Sequence, residues 1–276
     1  MQHPDKLKAP FDILTTAYVD QLSPKDAETV AIHLLADSAR MKEHGTILSW
    51  SEFNENPDPL VNRLLAKIIV GQFDRTRFQQ QDADTVAVLS IENSAAYLAL
   101  EVATEVARSF HFSKPPRIIR ARKLPHGESP SPAMSQRKLA VRVTPITSGG
   151  ETRTLVASLP DDDTSLQHVK TIIVVDDFKA TQSTLNGGVQ LAINLFRQFH
   201  PEKELFIIPT AGLGKPEQVK YEGVRSGHAE ICDSITALDV HFGADRETGG
   251  AYIQANGFGK LPMRRAKASD FNGHDA

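Results

Sequence analysis

The sequence predicts an α/β protein: a parallel β-sheet flanked by helices. Three stretches carry this expectation. Residues 85–91, Thr-Val-Ala-Val-Leu-Ser-Ile, form a short apolar run closed by a small polar turn, Glu92-Asn93-Ser94-Ala95, after which 96–106 takes up helical spacing. Residues 171–175, Thr-Ile-Ile-Val-Val, end in Asp176-Asp177 and a hydroxyl-rich turn before a second amphipathic stretch. Leu205-Phe206-Ile207-Ile208 supplies a further buried strand. Apolar strands alternating with helices are what a parallel sheet requires, because parallel neighbours are joined by crossovers.

The elements follow in chain order. Ser23-Pro24-Lys25-Asp26 places a cap, a first-turn proline and an acid at the third helical position. Ala27, Val30, Ala31, Leu34, Ala39 and Met41 then recur at nearly helical spacing up to Gly45, which predicts an accessory helix covering the core or a dimer contact. Asp58-Pro59 opens a second helix with Leu60, Leu64, Leu65, Ile68, Ile69 and Phe73 near one face; Trp50 and Phe53 before it read as packing residues. After the first strand–turn–helix unit, Ile118-Ile119-Arg120-Ala121-Arg122-Lys123 is an apolar strand ending in a basic cluster. Residues 124–138, rich in proline and serine, lose all periodicity and predict a long loop. Apolar alternation in 139–146 and 152–158 around Ser148-Gly149-Gly150-Glu151 predicts a β-hairpin. Beyond 184, Leu185, Val189, Ala192, Ile193, Phe196 and Phe199 form a helix face, with Gly187-Gly188 permitting close backbone approach. Ile231, Ile235, Leu238 and Val240 predict a further strand, and Arg264-Arg265-Ala266-Lys267 reads as a small solvated basic tail.

Composition narrows the function classes. The chain has 276 residues, 40% of them apolar, with net charge −3. That supplies a sizeable core and gives no broad attraction to nucleic acid. The single Cys232 excludes an internal disulfide, fits a reducing cytoplasm and reads as a small buried hydrophobe. The first residues lack the apolar centre of a signal peptide, and no run approaches the ~18 apolar residues of a membrane span. Neither a metal-ligand Cys/His spacing nor a Ser-His-Asp arrangement is present.

The chemistry concentrates in 171–184. A strand ending in paired carboxylates, followed by a turn and a helix, lies where open α/β sheets bind ligands. Backbone N–H groups of such a turn, backed by a helix N-terminus, suit a phosphate, and Thr181, Ser183 and Thr184 add hydroxyl donors. Asp176 and Asp177 would repel a phosphate at contact distance; they suit sugar hydroxyls, which donate to carboxylates.

These residues resemble the signature of the type I phosphoribosyltransferases: four apolar residues, two acids, a short loop and a Thr/Gly-rich turn. Ile172 to Val175, Asp176-Asp177 and Thr181-Gln182-Ser183-Thr184 fall on it in order. The pattern is closest to xanthine and adenine phosphoribosyltransferases and to the effector domain of the purine repressor. The resemblance spans about 46–242, leaving 1–45 as an N-terminal helical extension and 243–276 as a C-terminal extension. It implies a phosphoribosyltransferase-type sheet with a hood made of the 124–138 loop and the hairpin. It also implies a reaction, the transfer of ribose 5-phosphate from phosphoribosyl pyrophosphate (PRPP) to a purine-type nucleobase with release of pyrophosphate.

By the same resemblance, Asp176 and Asp177 hold the ribose hydroxyls near the reacting carbon. Ala180, Thr181, Gln182, Ser183 and Thr184 cradle the 5′-phosphate. Glu92, Asn93, Ser94 and Ala95 form the pyrophosphate turn, and Arg122 and Lys123 meet its charge, Lys123 acting in catalysis with the acid pair. Phe178 and Lys215 face the base, and His126 is a solvated loop histidine. Mg²⁺ is expected to be bound mainly through PRPP and water, with no dedicated protein metal site. A homodimer in the cytoplasm is implied, with no membrane and no nucleic acid. The chain departs from the family at Gln182 and Ser183, where many members carry glycine; a left-handed Gln182 would cost about 1 kcal/mol. The alternative function is a non-catalytic PRPP-sensing regulator built on the same fold.

Overall fold

The computed structural model describes residues 16–38, 40–41, 59–92, 95–124, 136–143, 153–160, 164, 166–179, 182–199, 204–214, 229–244, 251–255, 257–262 and 264–265. Trp50, Phe53, Asn93, Ser94, His126, Ala180, Thr181, Lys215, the hairpin turn at 148–151 and Lys267 lie outside them.

Six helices are described: α1 (Thr16–Gln21), α2 (Pro24–Ser38), α3 (Pro59–Gly71), α4 (Arg75–Phe78), α5 (Ala96–Ser109) and α6 (Gln182–Phe199). The strands are β1 (Arg40–Met41), β2 (Val86–Glu92), β3 (Arg117–Leu124), β4 (Gln136–Val143), β5 (Arg153–Pro160), β6 (Thr171–Lys179), β7 (Leu205–Gly214), β8 (Ala229–Ile231), β9 (Ile235–Ala244), β10 (Ala251–Ala255), β11 (Leu261–Pro262) and β12 (Arg264–Arg265). The main sheet runs β11-β10-β9-β7-β6-β2-β3-β5-β4, with β8 pairing β7. Its centre, β9-β7-β6-β2-β3, is parallel. Antiparallel strands extend both edges: β5 and β4 beside β3, and β10 and β11 beside β9. The predicted α/β class, flanking helices and hairpin are present. The hairpin's first strand begins at Gln136, inside the stretch predicted as loop, and the two edge strands after Gly243 have no counterpart in the sequence-based reading.

Both faces of the sheet are covered, which is why β2 and β6 read as continuous apolar runs rather than alternating ones. On one face, α3 and α5, with α1 and α2 outside them, pack on Val86, Val88, Ile173 and Val175. On the other, α6 packs on Ala87, Leu89, Ile172 and Val174. Each fully buried Val, Leu or Ile side chain contributes about 1.5–3 kcal/mol. Ser23 caps α2 as its sequence predicts: its Oγ accepts from the Asp26 backbone N–H at 3.1 Å and donates to the Asp26 carboxylate at 2.6 Å. The buried stripe of α2 is Ala27, Ala31, Ile32 and Leu35, so Val30 and Leu34 lie at its margin and this helix belongs to the core cluster. Gly188 of α6 sits against the sheet; a Cβ there would lie 2.6 Å from Ile91 Cδ1 and 2.8 Å from Val174 Cγ1. Among the described residues no helix is long and apolar enough to cross a membrane.

Candidate functional site

Parallel pairing brings the carboxyl ends of β2, β3, β6, β7 and β9 to one edge of the sheet. Two helices begin there. After β2 the chain enters α5 with Ala95 as the cap residue and no side chain bonded to the helix's first turn. After β6 it enters α6 at Gln182. Two helix N-termini therefore flank the ends of neighbouring central strands, an arrangement suited to anionic ligands.

Asp176 and Asp177 lie between them. Both are buried, at 2% and 7% exposure. Adjacent strand residues point to opposite faces, so Asp176 continues the α6-facing row of Ile172 and Val174. The Asp177 backbone N–H donates to Asp176 Oδ1 at 3.1 Å. Burial, and then the Asp177 charge beside it, push the Asp176 carboxyl up to about 8, against the opposing charge of Lys123. Near neutral pH the Asp176 carboxyl therefore keeps its proton and offers a donor as well as an acceptor.

The basic cluster is divided by the same alternation. Lys123 shares a face with the buried Ala121 and is near enough for its charge to act on Asp176. Arg122 is exposed and shares the opposite face with Arg120. The adjacent Arg122 and Lys123 thus serve different faces of the sheet edge, not a single two-cation clamp. Glu92, 9% exposed, ends β2 in register with Arg122 and pairs with Arg120 at 3.2 Å. Its carboxylate is paired with that arginine rather than open to an anion. Ala95 is fully buried.

Other expected residues stand as follows. Gln182, Ser183 and Thr184 form the first turn of α6, so the helix begins three residues before the apolar stripe suggests. Gln182 stands in the first helical turn of α6, a right-handed position, and the departure from glycine there and at Ser183 belongs to the helix start. Phe178 is partly buried against the α3/α5 cluster, in register with Leu213 and Leu238. Its ring belongs to the core rather than to an open wall.

Lys179 was missed by sequence reasoning. It is 6% exposed at the end of β6, in register with Gly214. A Cβ on Gly214 would lie 3.0 Å from Lys179 Cβ and 3.2 Å from its Cε, so the lysine stem lies across that glycine. The available signal was a charged residue two places beyond an acid pair in a buried strand, but its burial depends on a glycine distant in sequence.

No family model and no curated protein matches the chain. Among solved structures it is similar to a hypoxanthine phosphoribosyltransferase from Trypanosoma cruzi, a lysine-to-arginine variant in a ternary complex with substrates. The identity is 16% over 77% of this chain and 89% of that one, with a TM-score of 0.31. It is also similar to a hypothetical protein from Neisseria gonorrhoeae with bound ppGpp, at 12% identity over 64% of this chain and 81% of that one, with a TM-score of 0.29. Similarity at this level assigns neither activity nor substrate.

Proposed function

We propose that this chain is a phosphoribosyltransferase, transferring ribose 5-phosphate from PRPP to a purine-type nucleobase. The observation that carries the reading is the juxtaposition at the carboxyl edge. A buried acid pair sits between the N-termini of α5 and α6, with Lys123 acting on it from β3. Helix N-termini attract the phosphates of such a ligand at either end. The acid pair suits the sugar hydroxyls between them. As the C1–O bond breaks, positive charge grows on the ribose ring and negative charge on pyrophosphate. The acid pair stabilises the first, and Lys123 with the α5 amides the second. A ring nitrogen of the base supplies the electron pair of the new C1–N bond, and its proton passes to a pyrophosphate oxygen. Binding at the 5′-phosphate fixes C1 for attack.

Bound Mg²⁺ would add charge neutralisation on the leaving group. Such an ion would be held mainly by PRPP oxygens and water.

A second reading, a PRPP-sensing regulator, draws on the Gln182-Ser183 turn, because a sensor requires binding without turnover. One experiment separates the two: incubate the protein with PRPP, Mg²⁺ and a panel of purine bases and measure pyrophosphate release. Release with one base is the expected result. Tight PRPP binding with no release from any base selects the sensor, and absence of PRPP binding overturns both.

A further inference from the structure

The candidate site leaves Lys179 unused, although a lysine 6% exposed is costly unless its charge is met. Register indicates where its charge is directed. Lys179 pairs with Gly214 on β7, and Gly214 pairs with Asp239 on β9, so the three form one row across the sheet. The preceding row, Phe178, Leu213 and Leu238, faces the α3/α5 cluster. The pleat is broken one row earlier, where the adjacent Ala237 and Leu238 both belong to that cluster; beyond the break Val240 rejoins it, so the lysine row between faces the other side. Strands lie about 4.8 Å apart, so the α-carbons of Lys179 and Asp239 are on the order of 10 Å apart. A four-carbon stem crossing a residue without a side chain, met by a short carboxylate, covers that span. Lys179 does cross: its Cβ and Cε both lie close above Gly214.

Asp239 in turn borders a cleft of about 250 Å³ between β9 and the turn after β10, lined also by His241, Gln254 and Phe258. His241 and Gln254 are register partners. Val240, Ile253 and Ala255 belong to the α3/α5 cluster, which leaves Asp239, His241 and Gln254 on the opposite face. The cleft thus offers a carboxylate, an imidazole, a side-chain amide and a ring within a volume suited to one small heterocycle.

We propose that Lys179 is a positioning residue: it reaches across Gly214 to hold the Asp239 carboxylate toward this cleft, which takes a small planar heterocycle presenting an N–H edge. This rests on the transferase reading above, in which that heterocycle is the acceptor base. Lys179 fixes the carboxylate, so it accepts from the ligand's N–H while Gln254 supplies the complementary donor and acceptor.

The test uses the full chain and titrates adenine, hypoxanthine, guanine and xanthine by ligand-observed NMR, with PRPP affinity measured separately by calorimetry. Lys179→Met is expected to weaken binding of the preferred base about tenfold, the loss of one charge-assisted contact, with PRPP affinity changed less than twofold. Lys179→Arg should lose less. Gly214→Ala, which keeps both charges and blocks the crossing, should reproduce the loss and stands in if Lys179→Met does not fold. Lys179→Met combined with Asp239→Asn should be no worse than Asp239→Asn alone.

Base binding that is unchanged in both Lys179→Met and Gly214→Ala, or losses that multiply in the double variant, overturns the proposal. So does a wild type that binds none of the four bases. If the base results hold while Asp177→Asn leaves PRPP affinity intact, the acid-pair reading fails and the lysine bridge stands.

Discussion

The two ends of the parallel strands make a useful contrast. At the amino end, Arg77, Gln81, Lys170, Phe206 and Glu230 line an open cleft of about 900 Å³, far larger than the one beside Asp239. Its Arg77 and Glu230 satisfy one another. Arg77 donates two hydrogen bonds to Glu230, at 2.5 and 3.1 Å, and lies 4.0 Å over the Phe206 ring. At the carboxyl end two adjacent acids are buried and one of them is pushed up to about 8. Volume marks the first end and unspent electrostatics the second. Strained protonation states are costly, and chemistry uses them; neutralised surface pairs contribute little to either stability or binding.

The sharpest way to break this contrast is to remove the acid thought to hold the sugar. Asp177→Asn should weaken PRPP binding by about tenfold or more, the scale of losing hydrogen bonds to a charged acceptor. Calorimetric titration checks this, and unchanged affinity removes the ribose contact from the model of the site.

A packing change comes next. Gly188→Ala inserts a methyl where Ile91 Cδ1 and Val174 Cγ1 already lie within 3 Å. Both neighbours are fully buried. The cost should be about 1–3 kcal/mol, read from denaturant unfolding. Because Ile91 and Val174 lie just before Glu92 and Asp176, PRPP affinity should fall along with stability. A variant as stable as the wild type would mean that α6 can move off the sheet freely.

The third prediction uses pH. The folded Asp176 carboxyl holds its proton up to about 8, whereas an ordinary aspartate releases it near 3.8. Between those limits the folded state binds a proton that the unfolded chain has released, so raising pH favours unfolding. The effect is present in full below the lower limit and declines through this window. Asp176→Asn should flatten the slope of melting temperature against pH and raise the melting temperature by about a few degrees near pH 8. In the wild type, PRPP affinity should decline as pH passes 8, when Asp176 gains a negative charge near an anionic ligand. A slope identical in wild type and Asp176→Asn would show that the burial of this acid is offset by some other group.

How much of this was legible in the sequence depends on the range of the interaction. β2, β6 and the first half of β7 announce themselves because a strand covered on both faces must be apolar throughout. Ser23-Pro24-Lys25-Asp26 announces the α2 cap because capping is a local hydrogen-bond pattern. The start of α6 was misplaced: Gln182, Ser183 and Thr184 carry no apolar stripe, yet the helix begins with them. The separation of Arg122 from Lys123 was available from strand alternation alone, since neighbours in a regular strand face opposite sides. Phe178 and Lys179 could not be assigned locally. One turns into the core with Leu213 and Leu238, and the other crosses Gly214; both outcomes depend on strands reached only after the chain has passed through α6. The edge strands β10 and β11 were invisible for the opposite reason: each is short and held by its neighbour rather than by its own composition.

The smallest effect belongs to the amino end, and it tests the contrast from the other side. Arg77→Ala removes the paired hydrogen bonds to Glu230 and the stacking over Phe206. Both Arg77 and Glu230 are well exposed, at 40% and 62%, so solvent screens the pair. Surface pairs of this kind contribute about 0–1 kcal/mol, and a partly exposed cation over an aromatic ring about as much again. Denaturant unfolding should register a loss of that size, smaller at high salt. PRPP affinity should not change, because the strands insulate this cleft from the carboxyl edge and no charge is left uncompensated near the ligand. Should Arg77→Ala instead weaken PRPP binding as much as Asp177→Asn does, the ends of the sheet are coupled, and the large cleft belongs to the functional site after all.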